Sequence, residues 1–206
     1  YVAGLKEEDE VTEEIDASVF GSLYHKTMEL IYKDFKNEEI TAAIIDKISL
    51  GHNIKKHMDQ AFREEFLKND NPGITVKPEG RNIIIYEIIN KMVLRTLLND
   101  RSATPFIFQD TEQNIDDVFI ETDSSGKIHM GGKIDRLDIR EGKLHVLDYK
   151  TGKVSLSFPS LEYVFDRDAW GSQENLKGVF QTFMYSWLYS KKFNQTNFIT
   201  PGIYLT

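Results

Sequence analysis

Gly131-Gly132-Lys133-Ile134-Asp135-Arg136-Leu137-Asp138 leads, through the turn Arg140-Glu141-Gly142, into Leu147-Asp148-Tyr149-Lys150-Thr151-Gly152. Two extended runs joined by so short a glycine-containing turn make a β-hairpin. Alternate residues of a strand face the same side, so Asp148 and Lys150 project together while Tyr149 points the other way. Asp135 stands near the end of the partner strand and reaches the same region if the hairpin bends there. Two carboxylates and an ammonium group thus collect at one edge of a sheet. Leu144, Val146 and Leu147 make the second strand apolar, which sets its terminal charges apart from an ordinary surface ion pair.

The hairpin strands are expected over residues 127–139 and 143–150. Before them, residues 106–115 read as a strand, with 117–122 continuing or pairing with it and Asp123-Ser124-Ser125-Gly126 as a turn. Further upstream the apolar spacing becomes helical. It predicts helices over 18–36, with Ser18 as N-cap, over 38–68 with a break at Gly51, and over 79–99. Asn69-Asp70-Asn71-Pro72-Gly73 marks the turn between the last two. Downstream, residues 151–175 are rich in Ser, Phe and charge. Phe158, Tyr163, Phe165 and Trp170 there suit a packed flap or stacking on single-stranded bases. A helix over 173–192 and a strand starting near Pro201 complete the chain. This order gives a mixed α/β fold, a central mixed sheet flanked by helices with an N-terminal helical region. Residues 1–17 form an acidic lead-in. Residues 18–206 form one domain, divided into a helical part, 18–100, and a sheet core with a late helix, 101–206.

The 206 residues, 40% hydrophobic, can bury a core without covalent staples. The absence of cysteine excludes disulfides, a thiolate zinc site, a cysteine nucleophile and a cysteine-ligated iron–sulfur cluster within this segment. It also fits a reducing compartment, and a cytoplasmic location is expected. No stretch approaches the roughly 20 apolar residues of a membrane helix, and no secretory signal is visible. The chain starts at Tyr1 and ends in a strand-like run at Thr206, as expected of a piece of a longer polypeptide. The net charge of −8 argues against nucleic acid until its distribution is considered. Residues 1–17 hold seven acids and one lysine, whereas the remainder holds 26 acids and 24 bases. Weak DNA affinity is expected of the isolated chain.

Phosphodiester cleavage needs the charges gathered at this hairpin. Carboxylates hold Mg²⁺ or Mn²⁺, which polarises a phosphoryl oxygen and acidifies a bound water. A lysine can orient that water, offset charge on phosphorus or take up a proton, and the residues alone leave these roles open. Two helices carry further candidates. Gly21, His25 and Glu29 share one face at i, i+4 and i+8, where the histidine is a ligand or a packing residue. Gln181 and Tyr185 share a face of the late helix, whose Phe180, Phe183, Met184 and Trp187 suit a core. Glu112 is either a metal-facing acid or a plain strand glutamate. Lys55-Lys56-His57 reads as a solvated helix face.

Taken in order, Phe20-Gly21-Ser22-Leu23-Tyr24-His25, Ile134-Asp135-Arg136-Leu137-Asp138, Leu147-Asp148-Tyr149-Lys150-Thr151-Gly152 and Gln181-Thr182-Phe183-Met184-Tyr185 resemble the PD-(D/E)XK nuclease superfamily. The Gly-Lys-Ile-Asp-Arg and Asp-Tyr-Lys-Thr-Gly wording is similar to its RecB-like branch, which includes the nuclease domains of bacterial RecBCD and AddAB helicase–nucleases. The resemblance implies a restriction-endonuclease-like core. It implies metal binding by His25, Asp135, Asp148 and the backbone carbonyl of Tyr149, with Glu112 as a further ligand or supporting acid. The imidazole makes Mn²⁺ at least as suitable as Mg²⁺. Lys150 becomes the catalytic base or stabiliser, acting with Asp148 and Asp135. Gln181 and Tyr185 orient these residues and touch the substrate strand. Gly21 permits close approach of backbone or nucleic acid, and Glu29 either supports His25 or is an exposed acid one turn on.

The implied activity is a DNA nuclease, an exonuclease on a duplex end or single strand, working with a helicase subunit or domain outside this chain in double-strand break repair and recombination. Many relatives carry four cysteines around an iron–sulfur cluster, and this chain departs from them. Two other readings stay open: a catalytically silent nuclease-fold module that binds DNA or braces a complex, and a stand-alone exonuclease of phage type.

Overall fold

The computed structural model describes residues 14–121, 126–166, 168, 176–195 and 198–206, except the side chain of residue 117. Most of the acidic lead-in, residues 1–13, lies outside the described residues, as do Trp170 and the first residues of the expected late helix. Asp16 caps helix α1, Ala17–Tyr32, by accepting the Val19 N–H at 2.8 Å, so the cap is Asp16 and not Ser18. A 3-10 turn, Lys33–Phe35, follows. Residues 38–40, expected to be helical, instead form strand β1, Glu38–Ile40, because they pair with Phe106–Phe108 far along the chain. Helices α2, Ala42–Ile48, α3, Gly51–Glu65, and α4, Arg81–Ser102, come next. Lys55, at the start of the lysine pair on α3, is exposed and paired with Asp59.

Strand β2, Phe106–Glu121, is continuous through two register shifts. Strands β3, Lys127–Arg140, and β4, Lys143–Lys150, form the hairpin. The short helix α5, Leu161–Val164, precedes α6, Lys177–Phe193, and the last strand is β5, Ile199–Leu205. The five strands stand in the order β1-β2-β3-β4-β5. Pairing is antiparallel up to β4, and β4–β5 is parallel, which gives a mixed sheet.

Helices α1, α3 and α4 cover one face. Leu23, Tyr24, Met28 and Ile31 of α1 recur at helical spacing and pack with Ile54, Met58, Val93 and Leu97 over Phe106, Phe108 and Tyr149. Leu188 of α6 packs with Ile115, Ile134, Leu137, Leu144 and Val146 in a second cluster. Phe158 and Tyr163 lean on Val164, Leu176 and Val179, so this part of the 151–175 segment packs on α6 as a flap. Phe165, half exposed, rests edge-on against Phe180.

A buried ionic layer lies behind the hairpin. Arg136, 1% exposed, forks onto Asp138 with two bonds of 2.9 Å and reaches Asp100 at 2.7 Å. Tyr149 Oη lies 3.2 Å from the same guanidinium, Tyr32 donates to Asp100 at 2.6 Å, and Arg140 adds a 2.6 Å bond to Asp138. Charges this deep are tolerated only when each is paired and hydrogen-bonded, as these are.

Candidate functional site

The β3–β4 ladder ends at Arg136↔Leu147. The next residue on each strand is a site acid, Asp135 on β3 and Asp148 on β4. Beyond this last pair Asp135 Oδ2 accepts the Tyr149 N–H at 2.8 Å, a side chain taking the place of a strand carbonyl. The Asp135 carbonyl in turn accepts the Thr111 hydroxyl at 2.8 Å, which ties it to β2. Strand alternation sends the Tyr149 ring into the buried layer and leaves Asp148 and Lys150 facing an open cleft of about 550 Å³.

Helix α1 brings His25 to this fork. Its Nδ1 lies 3.4 Å from Asp135 Oδ1, and its ring meets Tyr24 and Tyr149 edge-on at 84° and 82°. Burial opposes protonation of His25, but the Asp135 hydrogen bond and charge outweigh it, so the imidazole pKa is raised. Glu112 joins from β2, between the pairs Thr111↔Arg136 and Gln113↔Ile134. Its φ of +53° is a left-handed conformation that a non-glycine residue holds at a cost of about 1–3 kcal/mol, and such residues cluster at functional sites. His25, Glu112 and Asp135 each offer a ligand atom within 4.8 Å of the others. Asp148 flanks this trio rather than entering it. Burial first, and then the Asp135 charge, push its carboxyl up to about 6.

Lys150 Nζ lies 2.8 Å from Asp148 Oδ2 and 3.0 Å from Oδ1, and donates to Gln181 Oε1 at 3.1 Å. Asp148 Oδ2 is nevertheless a buried acceptor without a well-angled hydrogen bond among the described residues. One imidazole, three carboxylates and that spare acceptor suit a hard or borderline divalent cation.

Tyr185 lines the cleft on α6, and Gly132 makes room for it: a Cβ there would stand 2.6 Å from the Tyr185 ring. Gly178, one turn before Thr182, clears the Lys150 stem in the same way, with a Cβ 3.2 Å from Lys150 Cε. Gly21 lines the cleft, and a Cβ there would meet only Thr151 Oγ1 at 3.8 Å, so protein packing does not require its glycine. Glu29 also lines the cleft but is engaged by Lys26, which bridges it to Glu64 at 3.0 and 3.1 Å. Lys26, Glu65, Lys133 and Gly178 help to shape the site without having been expected there from the sequence. Of these, Lys26, between His25 and Glu29, and Lys133, in the Gly-Lys-Ile-Asp-Arg stretch, stand inside motifs that point to the site.

The sequence profile of the PD-(D/E)XK nuclease superfamily matches residues 1–202. The chain belongs to the PD-(D/E)XK nuclease superfamily. Its mixed sheet flanked by helices is the restriction-endonuclease-like arrangement expected from the sequence. The nuclease is 24% identical over 174 residues to an ATP-dependent helicase/deoxyribonuclease subunit of Alkaliphilus oremlandii, a match covering 79% of this chain and 15% of that protein. Its identity to the corresponding subunit of Alkaliphilus metalliredigens is 23% over 173 residues, covering 78% of this chain and 15% of the relative. The matched region thus spans a small part of these relatives. No helix among the described residues is long and apolar enough to cross a membrane.

Proposed function

We propose that this nuclease hydrolyses DNA phosphodiester bonds with Mg²⁺ or Mn²⁺, as an exonuclease acting on a duplex end or single strand. The observation that carries this reading is the convergence of His25, Glu112, Asp135, Asp148 and Lys150 on one cleft. His25, Glu112, Asp135 and Asp148 would hold the cation, with the Tyr149 carbonyl as a further donor. A divalent ion bound there supplies Lewis-acid polarisation of the phosphoryl oxygen and a more acidic water. Asp135 is kept in place by the Tyr149 N–H. Lys150, held between Asp148 and Gln181, presents its ammonium to the attacking water and to charge developing on phosphorus. Gln181 fixes the lysine, and Tyr185 borders the path of the strand. Gly21 and Glu29 line the cleft, where they would position substrate.

The names of the two helicase/deoxyribonuclease relatives support a helicase subunit or domain as partner; on this reading the nuclease would work in the cytoplasm, in double-strand break repair and recombination. The domain proper would be residues 18–206, with 1–17 as an acidic lead-in.

A Mn²⁺ titration followed by a cleavage assay on labelled linear DNA tests the reading, with wild type compared to Asp148→Ala and Lys150→Ala. Metal-dependent cleavage in the wild type, lost in both variants, is expected. Equal cleavage in all three overturns it.

A further inference from the structure

Five carboxylates of the cleft, Glu29, Glu65, Glu112, Asp135 and Asp148, face three ammonium groups. Two of the lysines are engaged within the scaffold: Lys26 bridges Glu29 and Glu64, and Lys150 sits between Asp148 and Gln181.

Lys133 differs. Its ammonium forms an ion pair with Glu112, a member of the trio that could take a cation. Its side chain is 53% exposed, against 18% for Glu112, so the lysine stands at the cleft mouth and the acid inside. Strand alternation places Lys133 on the same side of β3 as Asp135. A divalent ion on Glu112 repels an ammonium held against the same carboxylate. Of the two side chains the lysine is free to move, being a flexible stem in solvent, whereas Glu112 starts from the left-handed backbone between two strand pairs.

We propose that Lys133 is the resident counter-ion of the metal site: it occupies Glu112 in the metal-free protein and, once displaced by a divalent cation, turns to the phosphate backbone of a nucleic-acid strand entering the cleft. This inference rests on the nuclease reading above. It makes metal and strand mutually supportive ligands, since each favours the released lysine, and linkage requires the effect to run both ways. It also lets a chain of net charge −8 keep a cation for phosphate without holding an empty acidic site open.

Calorimetric titration of the whole chain with Mn²⁺ alone tests the competition. Lys133→Met should bind Mn²⁺ about three- to tenfold more tightly than wild type, a range set by a partly solvated charge pair. Lys133→Arg, which keeps the cation, should bind within about twofold of wild type. A second measurement uses fluorescence anisotropy of a single-stranded oligonucleotide in a Lys150→Ala background. Adding Mn²⁺ should strengthen binding, and Lys133→Met should reduce that gain severalfold. If wild type binds Mn²⁺ and Lys133→Met binds it no more tightly, the counter-ion role is wrong while the metal site stands. If wild type takes up no Mn²⁺ at all, the metal-site reading fails and this inference falls with it.

Discussion

Asp135 of β3 accepts the backbone N–H of Tyr149 on β4 at 2.8 Å, just beyond the last pair of the ladder between their strands. A carboxylate that already satisfies a neighbouring backbone donor has one oxygen fixed and the other turned to His25, 3.4 Å away. The fork opens the cleft, and this bond keeps it from opening further.

Asp135→Asn should separate these duties. The amide oxygen can still accept the Tyr149 N–H, so the thermal midpoint should change little while Mn²⁺ affinity and cleavage fall. Asp135→Ala should lose both, with a further cost of about 1–3 kcal/mol for the unpaired buried donor. Thermal melts beside Mn²⁺ calorimetry check this, and equal midpoints for the two variants would contradict it.

Two raised pKa values set the pH response of the metal-free protein. Asp148 is pushed up to about 6 by burial and by Asp135, so the folded chain holds this proton more tightly than the unfolded one. The resulting stabilisation is full below the ordinary carboxylate range and is lost as pH rises through about 6. His25, raised on balance by Asp135 against its burial, acts in the same direction, with its contribution lost as pH rises through its folded value. In EDTA, Asp148→Asn should therefore gain stability relative to wild type as pH rises from about 4 to about 7, the span between the ordinary carboxylate value and the raised one. Mn²⁺ should reverse the trend for wild type, because it competes with these protons. A wild-type minus Asp148→Asn difference independent of pH would contradict the assignment.

Gly178→Ala tests whether stability and activity part company on α6. Gly178 is the second residue of α6, and an alanine methyl there meets the flexible end of Lys150 at 3.2 Å and both Val154 methyls at 3.3 Å. The melting point should change little, while cleavage drops about tenfold as the ammonium shifts from Asp148 and Gln181. Gly132→Ala should lower both, since its methyl meets the Tyr185 ring at 2.6 Å. Steady-state cleavage and thermal melts on the two variants decide the matter.

Arg136→Met should be the most damaging single change outside the cleft. It leaves Asp100 and Asp138, both 0% exposed, with too little positive charge, a loss of about 3–5 kcal/mol. Urea denaturation should show the midpoint fall. Retention of wild-type stability would mean that the buried acids find other partners.

Much of this architecture could be read from the sequence because the decisive signals are local. The alternation of Lys143–Lys150 and the Arg140-Glu141-Gly142 turn define the hairpin, and helical spacing set His25 and the Gln181–Tyr185 pair on their faces. What escaped depends on distance. Glu38–Ile40 is a strand only because Phe106–Phe108 lies beside it, which local periodicity cannot register. The place of Glu112 turns on a positive φ at a residue type that does not announce one. The role of Lys133 escaped because its partner, Glu112, is set by the pairing of β2 with β3. The guanidinium layer joins Asp100, at the end of α4, to Arg136 and Asp138 through contacts that spacing does not encode.

That layer also acts as a register key. Sliding β3 by one residue would swap its two faces, carrying Arg136 and Asp138 together away from Asp100 and Tyr149 and driving a neighbour of the wrong chemistry into the gap. An all-hydrocarbon filling would tolerate such slippage with modest loss, whereas a lock of matched charges admits one alignment. The acids at the fork thus inherit their spacing from residues that never meet the solvent, and grafting the fork onto another scaffold would require carrying this hidden lock along with it.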